Sequence, residues 1–353
     1  MSSTVLLRLG FLLVVVVCVD LYAFKGINAA LSQHSTVIRR LVRLVYWSIS
    51  IGLLLSVVWA VLDLQGAQLR RNHGYVFTLV GIFLLFFLPK VVMVVFHLAD
   101  DILHLFRLGW AKAAPSTVPG ESIGRSTFLS QLGLIVASVP FAGVLYGMTK
   151  GRSNFSVNHV RVGRADLPEG LRGLRIVQIS DLHLGSYGGD ETIVRAGVER
   201  INAEQPDIIV FTGDLVNDFA EEAERFIPIM AALQARIGKF SVLGNHDYSD
   251  YAQWDTPAAK AANLARMKAV HAEMGFRLLL DEHVEPEFGG VRFGLLGVQN
   301  WGTRFQQYGK LENAVRGTEH LPYRVLLSHD PTHWEAQVQG TGVDLMLSGH
   351  THG

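Results

Sequence analysis

Cysteine is all but missing: Cys18 is the only one in 353 residues, and it lies inside an apolar run. That excludes an intrachain disulfide framework and a cysteine-rich zinc site, and it leaves the redox compartment open. Charge is scarce too, at 18% of residues against 49% apolar, a balance tilted towards membrane proteins. The 31 basic and 31 acidic residues cancel, so nothing points to a nucleic-acid surface. There is no internal repeat and no low-complexity tract.

A chain of this length exceeds one typical domain, and the averages hide a split. Residues 1–150 carry long apolar runs and form a transmembrane region, while 151–353 read as a soluble domain of alternating strands and helices. Four runs approach the ~20 apolar residues a spanning helix needs, at about 5–24, 44–62, 75–98 and 128–149. Arg8 and Asp20 fall near the ends of the first, where snorkelling makes them tolerable. The third contains "LPK", so Pro89 should kink it and Lys90 must find an interface or a partner. The sequence offers Lys90 no acidic residue opposite, so a kinked structural helix is preferred over a functional charge. The stretch "DDILHLFRLGW" after this span is short and amphipathic, suited to lying along the membrane surface. No small-residue cleavage site follows the first run, and three more spans do, which argues against a signal peptide.

Lys25, Arg39, Arg40 and Arg43 mark the first loop, and Arg107, Lys112 and Arg125 the third, seven in all. The opposite side has five: Arg8, Arg70, Arg71, Lys150 and Arg152. Positive-inside then puts the soluble domain on the external, periplasmic side of a cytoplasmic membrane. The segment "GRSTFLSQLGLIVASVPFAG" resembles a twin-arginine export signal, with Ser126 where the second arginine would stand. This departure makes it an ordinary span in the present chain.

In the soluble half, β-rich runs occur at 174–180, 207–213, 239–244, 276–281, 291–299, 324–329 and 343–349. Helical candidates are 190–203, 219–236, 257–274 and 331–338, giving an α/β fold. "FRLLLD" and "VRFGLLGVQ" are expected to pair as an antiparallel hairpin. Polar clusters follow five of the strands: "SDLHLG", "TGDLVND", "LGNHDY", "SHDPTHW" and "SGHTHG". Open α/β sheets gather their ligands at such carboxyl ends, so five clusters can converge on one spot. Histidines, carboxylates and an asparagine gathered in this way point to a metal site.

The order D-x-H, G-D, G-N-H-D, a lone histidine and G-H-T-H-G resembles the calcineurin-like metallophosphoesterase superfamily, from about residue 173 to the end. The four-helix front is more loosely similar to a bacterial membrane-anchored branch of it. The resemblance implies a two-sheet sandwich flanked by helices (α/β/β/α) and two divalent metals. Asp181, His183 and His352 would bind the first and Asn245, His329 and His350 the second, with Asp214 bridging. Mixed nitrogen and oxygen ligands favour Mn, Fe or Zn over Mg or Ca. A hydroxide between the ions would attack a phosphomonoester, phosphodiester or pyrophosphate, and His246 would protonate the leaving oxygen. Related protein phosphatases orient that histidine with an aspartate three residues after the bridging one. Asn217 stands there in this chain, so Asp218 or Asp247 would have to substitute, or the acid matters less.

His159, His271, His283 and His320 lack the strand-end setting and read as surface or core residues, and His333 as the start or cap of a helix. Tyr248, Tyr251 and Trp254 either line a substrate groove or pack the loop down, and Arg304 is either a phosphate contact or a solvated arginine. The bilayer makes a lipid-linked phosphate attractive, and the superfamily includes UDP-2,3-diacylglucosamine pyrophosphatases of lipid A synthesis. That substrate is cytoplasmic, which the expected topology opposes. A transporter or binding protein with a regulatory soluble domain is the distant alternative. Members of the superfamily continue past G-H-T-H-G into strands that complete the sandwich, so Gly353 is expected to end a fragment.

Overall fold

The computed structural model describes residues 3–63, 73–113 and 125–352. Arg70, Arg71 and Gly353 lie outside them, as do the side chains of Arg107, Lys112, Arg125, Ser126 and Arg152. The described residues form two compact units that meet in sequence at Asn154–Phe155.

The first unit is four helices, α1 (Ser3–Ala30), α2 (Thr36–Asp63), α3 (His73–Ala113) and α4 (Arg125–Thr149). Each contains a stretch long and apolar enough to cross a membrane. Leu7, Phe11, Leu44, Phe106 and Val139 leave large apolar side chains on the outside, where lipid rather than water is their solvent. The small shared core joins Ala23, Met93 and Ala137.

Two expectations change here. The stretch 100–110 is not a separate surface element. It continues α3, which runs unbroken through Pro89 for 41 residues. Neighbouring helices can make good the single backbone donor that a proline removes in a membrane. Lys90 does have an acid opposite: its Nζ lies 2.6 Å from Asp20 Oδ1 and 2.8 Å from Ser50 Oγ. Because α1 extends to Ala30, Asp20 sits well inside the helix rather than near its end, and it is buried. Tyr46 completes the cluster by donating its hydroxyl to the Asp20 carbonyl at 2.7 Å. Nearer the end of α1, Lys25 and Tyr22 both bond Asp101 of α3.

The second unit is built on two four-stranded sheets. In the first, β1 (Ile176–Ile179), β2 (Ile208–Phe211), β3 (Gly238–Ser241) and β4 (Arg277–Leu278) are parallel and in sequence order. The second has the order β10 (Leu345–Leu347), β9 (Arg324–Leu327), β8 (Gly294–Gly297) and β5 (Glu282–Val284). Only the β5–β8 pair is antiparallel. The expected hairpin is therefore redrawn. The run 276–281 gives β4 to the first sheet, then crosses to the second, burying Leu279 between them. A minor ribbon, β6 (Glu287–Phe288) with β7 (Val291–Arg292), makes the tight turn instead.

The strands are apolar on both faces because both faces are covered. Ile208, Val210 and Val242 meet Leu295, Val325 and Leu327 between the sheets. On the outer face of the first sheet, Ile209 and Phe211 pack against α5 (Glu191–Ala203), α6 (Ile227–Ala231) and α7 (Pro257–Glu273). Outside the second, Leu296 and Leu326 meet α8 (Leu311–Val315) and Val338 of a short π turn. Fully burying each such side chain is worth about 1.5–3 kcal/mol. Helix starts are written locally: Asp190 accepts from the Thr192 N–H, and Thr256 from the Ala259 N–H. The candidate helix 219–236 resolves into a 3-10 stretch, Ala220–Phe226, followed by α6. The architecture is the expected α/β/β/α sandwich, and parallel pairing brings the carboxyl ends of β1, β2, β3, β9 and β10 to one end of it.

Candidate metal centre

Every cluster named from the sequence lies at that end. Asp181 and His183 follow β1, Asp214 follows β2, and Asn245 and His246 follow β3. His329 follows β9, and His350 and His352 follow β10. Among the described residues, three overlapping groups place ligand-type atoms within 4.8 Å of one another. They are Asp181, His183 and His352; His183, Asp214 and His246; and Asp214, His329 and His350. Asp214 and His183 each belong to two groups, so the whole is one site.

The backbone is bent to aim these side chains. Asp181, His183, Asp214, His350 and His352 all have positive φ, between 44° and 71°. Few non-glycine residues visit that region, and aspartate and histidine, the two types used here, are among those that do. At Gly213 φ is 102°, and an added Cβ would come 2.5 Å from the Gly244 nitrogen. Gly244 is closed in from the other side by the Asp214 carboxylate. These two glycines let the β2 and β3 loops touch, which brings Asp214 and Asn245 into one site.

Hydrogen bonds then fix each ring and carboxylate. His329 donates from Nδ1 to the Thr212 carbonyl at 2.7 Å, turning Nε2 towards Asp214 Oδ2, 3.1 Å away. His246 donates from Nδ1 to the Asn217 carbonyl at 2.6 Å, leaving its Nε2 free to carry or release a proton. The Asn217 side chain is engaged elsewhere, donating to Ser186 Oγ. The orienting group is thus the peptide carbonyl at the position where an aspartate was expected. Asp247 does not take that part. It is fully buried and accepts from the N–H groups of Asp214, Leu215, Val216 and Gly244, lacing the β2 loop to the β3 loop. Asp181 accepts from the His350 N–H through both oxygens, tying the β1 loop to the β10 loop. Gln178 adds a second tie by donating to the Ser348 carbonyl at 2.7 Å.

The electrostatics favour a cation. Burial raises Asp214, but its contacts with His329 and His246 outweigh this and hold it below the usual carboxylate range. Burial lowers His329, yet the Asp214 carboxylate wins and pushes it up to about 9. Asp214 thus draws positive charge to itself, here a proton on His329. His183 is lowered by burial, and so presents a neutral imidazole. Burial first, and then the Asp214 charge, pushes Asp247 up to about 7.

Asn245 donates its amide Nδ2 to the Tyr251 hydroxyl at 3.0 Å, so its Oδ1 is the atom directed into the site. That Tyr251 contact went unread in the sequence, as did the bracing by Asp247, although the latter lies within the "GNHD" block itself. Tyr248 and Trp254 pack the loop. Tyr248 is buried and bonded to Gln299, while Trp254 lies against Phe219 and bonds the Ser249 carbonyl. The histidines read as structural are so placed: His271 is buried beside Phe211, and His283 bonds the Ala314 carbonyl. His159 and His320 pair loosely with glutamates. His333 starts the π turn, held by Ser328 and Gln337.

Residues 174–353 match the profile described as calcineurin-like phosphoesterase, and residues 3–152 match that of a probable calcineurin-like phosphoesterase transmembrane domain. The zebrafish (Danio rerio) "transmembrane protein with metallophosphoesterase domain" is 28% identical, over 66% of this chain and 52% of its own. The metallophosphoesterase YkuE of Bacillus subtilis is 29% identical, over 66% and 78%. A third relative, the UDP-2,3-diacylglucosamine pyrophosphatase LpxG of Chlamydia trachomatis, is 44% identical over 86 residues, which is 24% of this chain. The match therefore spans only about half the length of the vertebrate relative. With the strand-end clusters gathered at one end of the sandwich and four apolar helices ahead of it in sequence, the chain belongs to the calcineurin-like phosphoesterase family, as a multi-pass membrane protein.

Proposed function

We propose that the chain is a membrane-anchored phosphoesterase with two divalent ions held by Asp181, His183, Asp214, Asn245, His329, His350 and His352. The observation that carries this reading is the three overlapping groups of ligand-type side chains joined through Asp214 and His183, with Asn245 Oδ1 buried at the same strand ends without a hydrogen bond. Buried polar atoms are normally satisfied, so such an orphaned oxygen fits a cation. The donor set suits Mn, Fe or Zn. When bound, two such ions supply Lewis acidity and a low-pKa water at neutral pH.

The protein's own groups do the rest. With Nδ1 committed to the Asn217 carbonyl, Nε2 is the ring atom of His246 that would pass a proton to the leaving oxygen. The two carboxylates, Asp181 and Asp214, would offset only about half the charge of two divalent ions, which would leave the site open to an anion such as phosphate. Asp247 keeps the Asp214 and Gly244 loops in register while remaining out of the chemistry.

The bond cleaved is a phosphomonoester, phosphodiester or pyrophosphate, and the anchor favours a lipid-linked substrate. The local likeness to LpxG supports a nucleotide-linked pyrophosphate as the second reading, and covers 24% of the chain. The basic loops favour an external catalytic domain on a cytoplasmic membrane. A reporter fused at the carboxyl terminus reads the sidedness.

The test uses the full chain in detergent. It should hydrolyse p-nitrophenyl phosphate or bis-p-nitrophenyl phosphate only with a transition metal present. Undiminished turnover after dialysis against excess chelator overturns the reading. Asp214→Asn should lose more metal than any terminal-ligand variant, and two ions retained per chain would contradict its bridging role.

A further inference from the structure

Beside Asn245 the surface opens into a cleft of about 440 Å³. This is within the range of small-molecule sites and far more than a phosphoryl group fills. One wall is the loop after His246, which carries Asp250 and Tyr251. The other is the loop 300–309, which carries Arg304, Phe305 and Tyr308.

Both walls are built. The second loop is closed at its base, where Tyr308 donates its N–H to the Asn300 carbonyl at 2.9 Å. Asp281 clamps the flanks by accepting from the N–H groups of Gln299 and Lys310. The walls are joined by Tyr248 and Tyr308, stacked at 3.9 Å, and by the Tyr308 hydroxyl bonded to Asp250. The cleft abuts the metal-ligand side chains: the Phe305 ring stands edge-on to His350 at 4.8 Å, and Tyr251 bonds Asn245.

Charge decides what the cleft receives. Two cations line it. Lys260 is neutralised by Asp250. Arg304, exposed at the tip of its loop, has no ion pair or hydrogen bond among the described residues. A guanidinium presents five donors in a flat fork suited to carboxylate or phosphate oxygens. Around it, Tyr251 and Phe305 offer ring faces to the part of a ligand between the two anionic ends.

We propose that this cleft is a subsite for a second anionic group on the substrate, read by Arg304, so that substrates with two separated negative centres are preferred over simple monoesters. The inference rests on the phosphoesterase reading and deepens it, because the reacting phosphoryl group is taken to sit at the metals.

Two phosphonates that differ by one charge test it: phenylphosphonate and 4-carboxyphenylphosphonate, as inhibitors of aryl phosphate turnover by the metal-loaded full chain. The carboxylate should lower the inhibition constant about tenfold, the scale of one charge-assisted contact. Arg304→Gln should bring the two constants together, and Arg304→Lys should keep part of the gap, because a point charge remains where the fork is lost. Equal constants in the wild-type chain, or a gap that survives Arg304→Gln, overturn the subsite while leaving the hydrolase reading intact. No aryl phosphate turnover with metal present overturns that reading, and the subsite with it.

Discussion

Lys90 Nζ and Asp20 Oδ1 lie 2.6 Å apart on two different apolar helices, with both side chains buried. Charges in such a setting persist because each neutralises the other, and Ser50 supplies a further oxygen to the ammonium. Breaking one partner of a buried pair typically costs about 3–5 kcal/mol, whereas removing both together is often neutral. Asp20→Leu or Lys90→Met alone should sharply lower the melting temperature in detergent, and the double variant should recover most of the loss. Single variants as stable as the wild type would show that the pair is incidental.

His246→Asn should retain both ions yet lose about 10²–10⁴ in rate on alkyl phosphates, whose leaving oxygen needs a proton. Nitrophenyl esters should suffer less. The measurement is a plot of rate against leaving-group pKa. A parallel drop across the series would reduce His246 to a phosphate-positioning residue.

Tyr251→Phe removes the acceptor that faces Asn245 Nδ2, freeing the amide to turn. Loss of such a supporting contact typically weakens metal affinity by 10–100-fold. A metal titration should show that weakening, with activity recovered at saturating metal. Unchanged affinity would mean that the β3 loop alone holds Asn245 in place.

His271 gives the sandwich a pH limit. Complete burial lowers it from 6.5 to about 4. The unfolded chain therefore binds a proton that the folded chain refuses, and stability falls as pH drops from 6.5 towards 4. The loss should reach about 3 kcal/mol by the lower end, at 1.36 kcal/mol per pKa unit. His271→Leu should flatten this part of the profile in thermal melts between pH 4 and 7, and an unchanged slope would assign it to another group.

What the sequence reveals here is the chemistry at strand ends. "SDLHLG", "TGDLVND", "LGNHDY" and "SGHTHG" each follow an apolar run, and a parallel sheet must bring such ends together. Two kinds of feature stay hidden. One is pairing over long separations: nothing local says that Asp20 meets Lys90, seventy residues away, or that "FRLLLD" joins the first sheet while Glu282–Val284, directly after it, joins the second. The other is work done by the backbone. Asn217 orients His246 through its carbonyl, which every residue type possesses, so no side chain there could announce it.

Five of the seven proposed ligands have left-handed backbone, a region that the interiors of helices and strands never visit. The site is consequently not portable as a set of side chains. An engineer who copied the seven residues onto the regular elements of another scaffold would point most of them the wrong way. What would have to be transplanted is the loops themselves, with the glycines that let them touch and the parallel strands that set their spacing.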